Sequence, residues 1–182
     1  MVRGRRILTS AALIGTGVLI AAVLWAFSRE SILHRWYGNV PRLEFPTDLD
    51  KPIEFRARIL EKRNYWLSLL VYYHSNDERA AVEQIAGRYR GTEKSPADYG
   101  IPTQFHVVVR DEGGRIVRDE SPTVVGMNGF TANYRIRRID EFILTPGIYF
   151  IQVTPVGDFS AFHRFRAAFE LNYHPKATPI RD

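Results

Sequence analysis

The 182-residue sequence contains no cysteine, which excludes disulfide frameworks, thiol catalysis, thiolate metal sites and a lipid-modified N-terminal cysteine. Lysine is scarce: of 25 basic residues, 21 are arginine and four are lysine. No phosphate-binding loop, no G-x-S-x-G elbow and no G-x-G-x-x-G after a strand occur, so the common signatures of nucleotide binding and serine hydrolysis are missing. A strong charge of one sign is missing too. The formal net charge is +5, but Arg3, Arg5 and Arg6 supply three of those charges, and the remainder holds 22 basic against 20 acidic residues. That balance leaves no electrostatic footprint for nucleic acid. What the chain does have is material for a core. Its 45% apolar and 25% charged residues match globular usage, and its length suits one ordinary domain with an appendage.

Between Arg6 and Arg29 no residue is charged. The stretch Ile7 to Phe27 would cross about 30 Å of hydrocarbon as a helix. It exceeds the roughly 7 to 15 apolar residues of a cleavable signal and ends on bulky Leu24, Trp25 and Phe27 rather than small residues. The pattern predicts an uncleaved transmembrane helix. Arginines before it place the amino terminus in the cytoplasm, although Arg29, Arg35 and Arg42 weaken the asymmetry. The expected organisation is a basic cytoplasmic end at 1–6, a transmembrane helix at 7–27 in contact with inner-membrane lipid, a juxtamembrane tether at 28–44, a β-sandwich domain at 45–177 and a tail at 178–182. The soluble domain is then periplasmic.

From Phe45 onward the pattern alternates. Ile53, Phe55, Ala57 and Ile59 interleave with Glu54, Arg56 and Arg58, the two-residue period of a strand with one buried face. Tyr65 to Tyr73 is apolar on both faces apart from Ser68 and reads as a central strand. Further strands are expected at Gln104 to Arg110, Arg115 to Arg118, Thr131 to Leu144, Ile148 to Thr154 and Arg164 to Tyr173. Asp111 to Gly114, Asn128-Gly129 and Thr145-Pro146-Gly147 have the chemistry of turns. One helix interrupts the strands. Ser75 and Glu78 have capping-box spacing, Val82, Ile85, Ala86 and Tyr89 share a face, and Gly91 can end the run. The predicted fold is mainly β: an immunoglobulin-like two-sheet sandwich with one inserted α-helix, plus the N-terminal transmembrane helix.

At this point the blocks Ile53-Glu54-Phe55, Tyr65 to Leu69, Tyr99-Gly100-Ile101-Pro102, Tyr134-Arg135-Ile136, Leu144 to Tyr149 and Pro175-Lys176 together resemble a bacterial domain-of-unknown-function family, number five-six-two-five in words. The resemblance covers about residues 45 to 177 and implies a small envelope β-domain behind a signal or an anchor. It brings no catalytic residues and no cofactor.

Residues with chemistry are few. His34, His74, His106, His163 and His174 show no metal-ligand spacing, and the paired carboxylates Asp111/Glu112 and Asp119/Glu120 fall in turn-like sequence. Neither catalytic nor metal-binding nor cofactor-binding residues are expected. Arg-x-Arg occurs three times on expected strands, as Arg56/Arg58, Arg135/Arg137 and Arg164/Arg166. Residues two apart share a strand face, so neighbouring strands would assemble these pairs into a basic face for an acidic protein or anionic headgroups. The plainer reading is a solvated outer face, where replacing Arg135 and Arg137 by Ser leaves stability little changed. The helix with its loop, Asn76 to Pro102, is a second candidate surface, with Tyr89 and Tyr99 as aromatic anchors unless Tyr89 packs down on the sheet. The function expected is a membrane-anchored, non-catalytic interaction module for an envelope protein, with immunity-type binding of a periplasmic toxin as one version. The alternatives are an envelope hydrolase whose site forms only in the fold, and a structural subunit of a secretion or cell-wall complex.

Overall fold

The structure is a computed structural model that describes residues 43–88, 98–173 and 180, all within the unit Val40–Asp182. The expected transmembrane helix at 7–27, along with His34, Tyr89, Gly91 and His174, lies outside the described residues. Among the described residues no helix is long and apolar enough to cross a membrane.

Among the described residues ten strands and one α-helix follow in order: β1 (Leu43–Thr47), β2 (Ile53–Ile59), β3 (Arg63–Tyr72), α1 (Asn76–Ala86), β4 (Thr103–Asp111), β5 (Ile116–Glu120), β6 (Thr123–Val124), β7 (Gly129–Phe130), β8 (Tyr134–Leu144), β9 (Gly147–Val156) and β10 (Ala167–Tyr173). A 3-10 turn, Ser160–Phe162, precedes β10. One sheet has the order β1-β10-β3-β8-β7 and the other β2-β9-β4-β5, with β6 also on β4. Every pairing is antiparallel. The fold is thus mainly β, two antiparallel sheets with one helix.

The core lies between the sheets. Tyr65, Leu67, Leu69 and Val71 of β3 meet Phe105, Val107 and Val109 of β4 and Ile151 and Val153 of β9, each fully buried aliphatic side chain contributing about 1.5 to 3 kcal/mol. Phe105 stands edge-on to Phe169 of β10 at 5.9 Å. On β2 the alternation is as expected, with Phe55, Ala57 and Ile59 buried and Glu54, Arg56 and Arg58 exposed. The helix is capped as its sequence promises: Ser75 Oγ accepts from the Glu78 N–H at 3.1 Å, and Glu78 Oε2 accepts from the His74 N–H at 2.7 Å.

Four sequence expectations are corrected. No strand was expected before Ile53, yet Leu43–Thr47 is one, paired with β10. It is an edge strand, which tolerates Pro46, and Phe45 stacks on Phe55 across the sheets at 4.1 Å. The helix stops at Gly87 instead of Gly91, because Gly87 takes φ +95° there. Asn128-Gly129 is not the reversal before β8. The chain turns at Thr131, whose Oγ1 accepts from the N–H groups of Asn133 and Tyr134, so β8 begins at Tyr134. Strand β10 begins at Ala167, which leaves Arg164 and Arg166 off the sheet in the segment after the 3-10 turn.

Candidate functional site

The Arg-x-Arg pairs do not form one face. Arg56 and Arg58 are exposed on β2, which pairs with β9, while Arg135 and Arg137 belong to β8 in the other sheet. Arg164 and Arg166 are exposed and off-strand, Arg166 lying over the Tyr72 ring at 4.7 Å. Nor are Arg135 and Arg137 on a solvated face. They stand opposite Val71 and Leu69, both core residues, and cross-strand partners share a face. A bulge at the Leu67/Ser68 step then changes the side presented by β8, so that Phe142 and Leu144 are buried beyond it.

Arg137 is 0% exposed. Its Nε donates to the Gly126 carbonyl at 3.1 Å and its Nη2 to the carbonyls of Ile101 and Val124 at 2.9 and 2.8 Å. Its Nη1 has no hydrogen-bond partner among the described residues. Burial pushes this guanidinium down to about 10, which still leaves it charged near neutral pH. Backbone carbonyls, not a carboxylate, answer that charge.

Those carbonyls belong to two loops that meet the end of α1. Gly87, Gly100 and Gly126 all have positive φ, and their backbones touch. A Cβ on Gly87 would lie 2.6 Å from the Asp98 oxygen and 2.9 Å from the Gly126 Cα. The Ile101 N–H donates to the Ile85 carbonyl at 2.8 Å, satisfying one of the orphan acceptors at the helix end, and the Gly126 N–H donates to the Tyr99 carbonyl at 2.6 Å. Arg137 therefore ties both loops from beneath.

Beside this junction opens a pocket of about 580 Å³. Its buried floor is Arg135. Nη1 of Arg135 donates to Tyr73 Oη at 2.5 Å and to the Thr131 carbonyl at 3.2 Å, and Nη2 donates to Glu83 Oε1 at 2.5 Å. Its buried Nε has no acceptor among the described residues. The guanidinium carbon lies 4.8 Å from the Tyr73 ring centre and 5.5 Å from that of Phe130, within cation–π range. Arg79 and Arg88 line the same space, with Met127 and Ala132 supplying apolar wall. Arg79 Nε is 3.7 Å from Glu83 Oε1, and Arg88 makes no side-chain ion pair with a described residue. Among the described lining residues three guanidinium groups thus face one carboxylate, next to two aromatic rings. Guanidinium groups stay charged near neutral pH, so these three side chains are suited to holding an anion.

The described histidines are elsewhere. His106 pairs with Asp119 at 2.7 Å and His163 with Asp50 at 2.8 Å, both pairs exposed, and no described histidine lines the pocket. Among the described residues no group of three or more His, Asp or Glu side chains is placed to hold a metal ion. Sequence reasoning singled out Arg135 and the surface Asn76 to Pro102, which holds Arg79, Glu83 and Arg88, but named none of those three side chains and missed Tyr73 and Phe130. The available signal was the Arg79/Glu83 spacing of four on a helix, followed by an arginine just past its end.

An antiparallel two-sheet sandwich with an arginine-lined pocket beside its one helix defines the class. The model of the family described as "Domain of unknown function (DUF5625)" matches residues 47–173, and the chain belongs to that family. No curated protein matches the chain. A solved crystal structure from Sulfurospirillum deleyianum is similar in fold, with a TM-score of 0.61 and 16% sequence identity, over 75% of this chain and 99% of that one.

Proposed function

We propose that the chain is a membrane-anchored, extracytoplasmic, non-catalytic interaction module, and that the arginine pocket is where it meets a protein partner. The anchor is the apolar segment at 7–27, and the module is an immunoglobulin-like sandwich on the periplasmic side of the inner membrane. The observation that carries this reading is the pocket itself: open to solvent, net positive, walled by Tyr73, Phe130 and Met127, residue types that dominate binding hot spots. Anchoring would raise the module's local concentration near other envelope proteins. Neutralising a periplasmic toxin is one version, and a subunit role in a secretion or cell-wall complex is another; the identity of the bound protein separates them. A hydrolase would need a histidine and carboxylates converging on a cleft, and the two exposed histidine–aspartate pairs do not favour one.

A photocrosslinking residue at Ala132, compared with one at Arg56 on the far sheet, tests the reading in intact membranes. A single envelope protein captured from position 132 and not from 56 is expected. The same diffuse adducts from both positions would contradict it.

A further inference from the structure

Resting on that reading of the pocket, we propose that the group it takes is a carboxylate side chain on an acidic, extended segment of the partner, with an apolar neighbour packed against Phe130 and Met127. Charge is the first argument. Among the described lining residues, Arg79, Arg88 and Arg135 outnumber Glu83 three to one in one concave space. The exposed Arg88 makes no side-chain ion pair with a described residue, and the half-exposed Arg79 reaches Glu83 only at 3.7 Å. Both can turn to an incoming anion at little cost in lost bonds.

The second argument is an unfinished fork. Elsewhere in the domain Arg118 grips Asp140 with two parallel bonds, Nε to Oδ2 at 3.0 Å and Nη2 to Oδ1 at 2.8 Å, the usual bidentate geometry. Arg135 offers the same Nε/Nη2 edge, yet Glu83 meets it through Oε1 alone, and the Nε is left buried without an acceptor. Glu83 therefore marks a carboxylate position on the pocket floor while leaving the guanidinium's hydrogen-bonding capacity partly unused.

The third is the wall. Phe130 is 58% exposed at the pocket and Met127 is buried beside it, so the anion site has apolar surface next to it that a polypeptide side chain can cover. A lipid headgroup fits less well. Adhesion to an anionic bilayer uses clusters of about four to eight basic residues, and here three arginines share their space with a glutamate in a domain of nearly balanced charge.

The test uses the full chain in nonionic detergent with its arginine side chains labelled by 15N, reading the Nε–H resonances of Arg79, Arg88 and Arg135. The probes are an amidated peptide alternating glutamate and leucine, its glutamine counterpart, inorganic phosphate, and phosphatidylglycerol vesicles. The glutamate peptide is expected to shift the Arg79 and Arg88 resonances saturably and to bind at least tenfold more tightly than the glutamine peptide. Arg88→Glu should abolish the shift while leaving the backbone spectrum intact. Equal responses to both peptides, or saturable binding of phosphate or vesicles in place of the glutamate peptide, would overturn the proposal. If the peptides fail while position 132 still captures a protein, the carboxylate is wrong and the interaction module stands; if both fail, both are wrong.

Discussion

Arg137 carries a full charge into the buried interior, and the protein answers it with the backbone carbonyls of Ile101, Val124 and Gly126. Replacing it leaves those acceptors without their donor, so Arg137→Met should cost about 3 to 5 kcal/mol in urea unfolding, whereas Arg56→Ala on the exposed face of β2 should stay within about 0.5 kcal/mol. The pH dependence has a defined sign. The folded-state value lies near 10, below the ordinary guanidinium value, so the unfolded chain binds the extra proton only between those limits. The site's contribution to stability rises across that interval and is flat below it. The difference between Arg137→Met and the parent should therefore be constant from about pH 6 to pH 9, and a difference that grows or shrinks through neutrality would contradict the assignment. None of this was legible as burial in the sequence. Arg-x-Arg on an alternating strand reads as an outward pair, and only the register with Val71 and Leu69 turns it inward.

At the scale of elements, the strands that were easiest to read had one wet face, as β2 does, or none, as β3 does. Strand β1 was missed because its five residues contain Pro46 and offer too short an alternation to separate from a tether. The bulge opposite Leu67 was invisible for a related reason, since it changes parity without changing composition. The glycine junction carries a clear expectation. Gly87 and Gly114 both have positive φ, but a Cβ on Gly87 meets the Asp98 oxygen and the Gly126 backbone while one on Gly114 meets nothing. Gly114→Ala should cost about 1 to 2 kcal/mol of backbone strain, and Gly87→Ala clearly more, with loosening of the loops that Arg137 holds. Urea midpoints of the two variants check this. Turn carboxylates give a second expectation. The Arg115 backbone N–H holds Asp111 below the ordinary 3.8, and the Ser160 backbone N–H does the same for Asp158. Their stabilisation is complete above about pH 4 and fades as pH falls through the lowered values, so Asp111→Asn should flatten the acid limb of stability against pH.

At the scale of the whole molecule, the two-sheet architecture and the helix start were readable because hydrophobic period and capping chemistry are local. The pocket was not. It is assembled from the end of β3, the helix, the segment after it, the loop around Met127 and the start of β8, which only the folded topology brings together. The single arginine it shares with the sequence reading, Arg135, was chosen for the wrong orientation. What the described unit presents is a two-sheet sandwich whose segments, tied by Arg137 and three glycines, border an arginine-lined concavity at the surface. The most direct measurement is capture by crosslinking from position 132 in intact membranes, run side by side on the parent chain and on an Arg79→Glu/Arg88→Glu variant. One dominant envelope protein on the parent, lost from a variant that unfolds at the same urea concentration, is the expected result; an unchanged capture profile on the variant would contradict the pocket as the binding site.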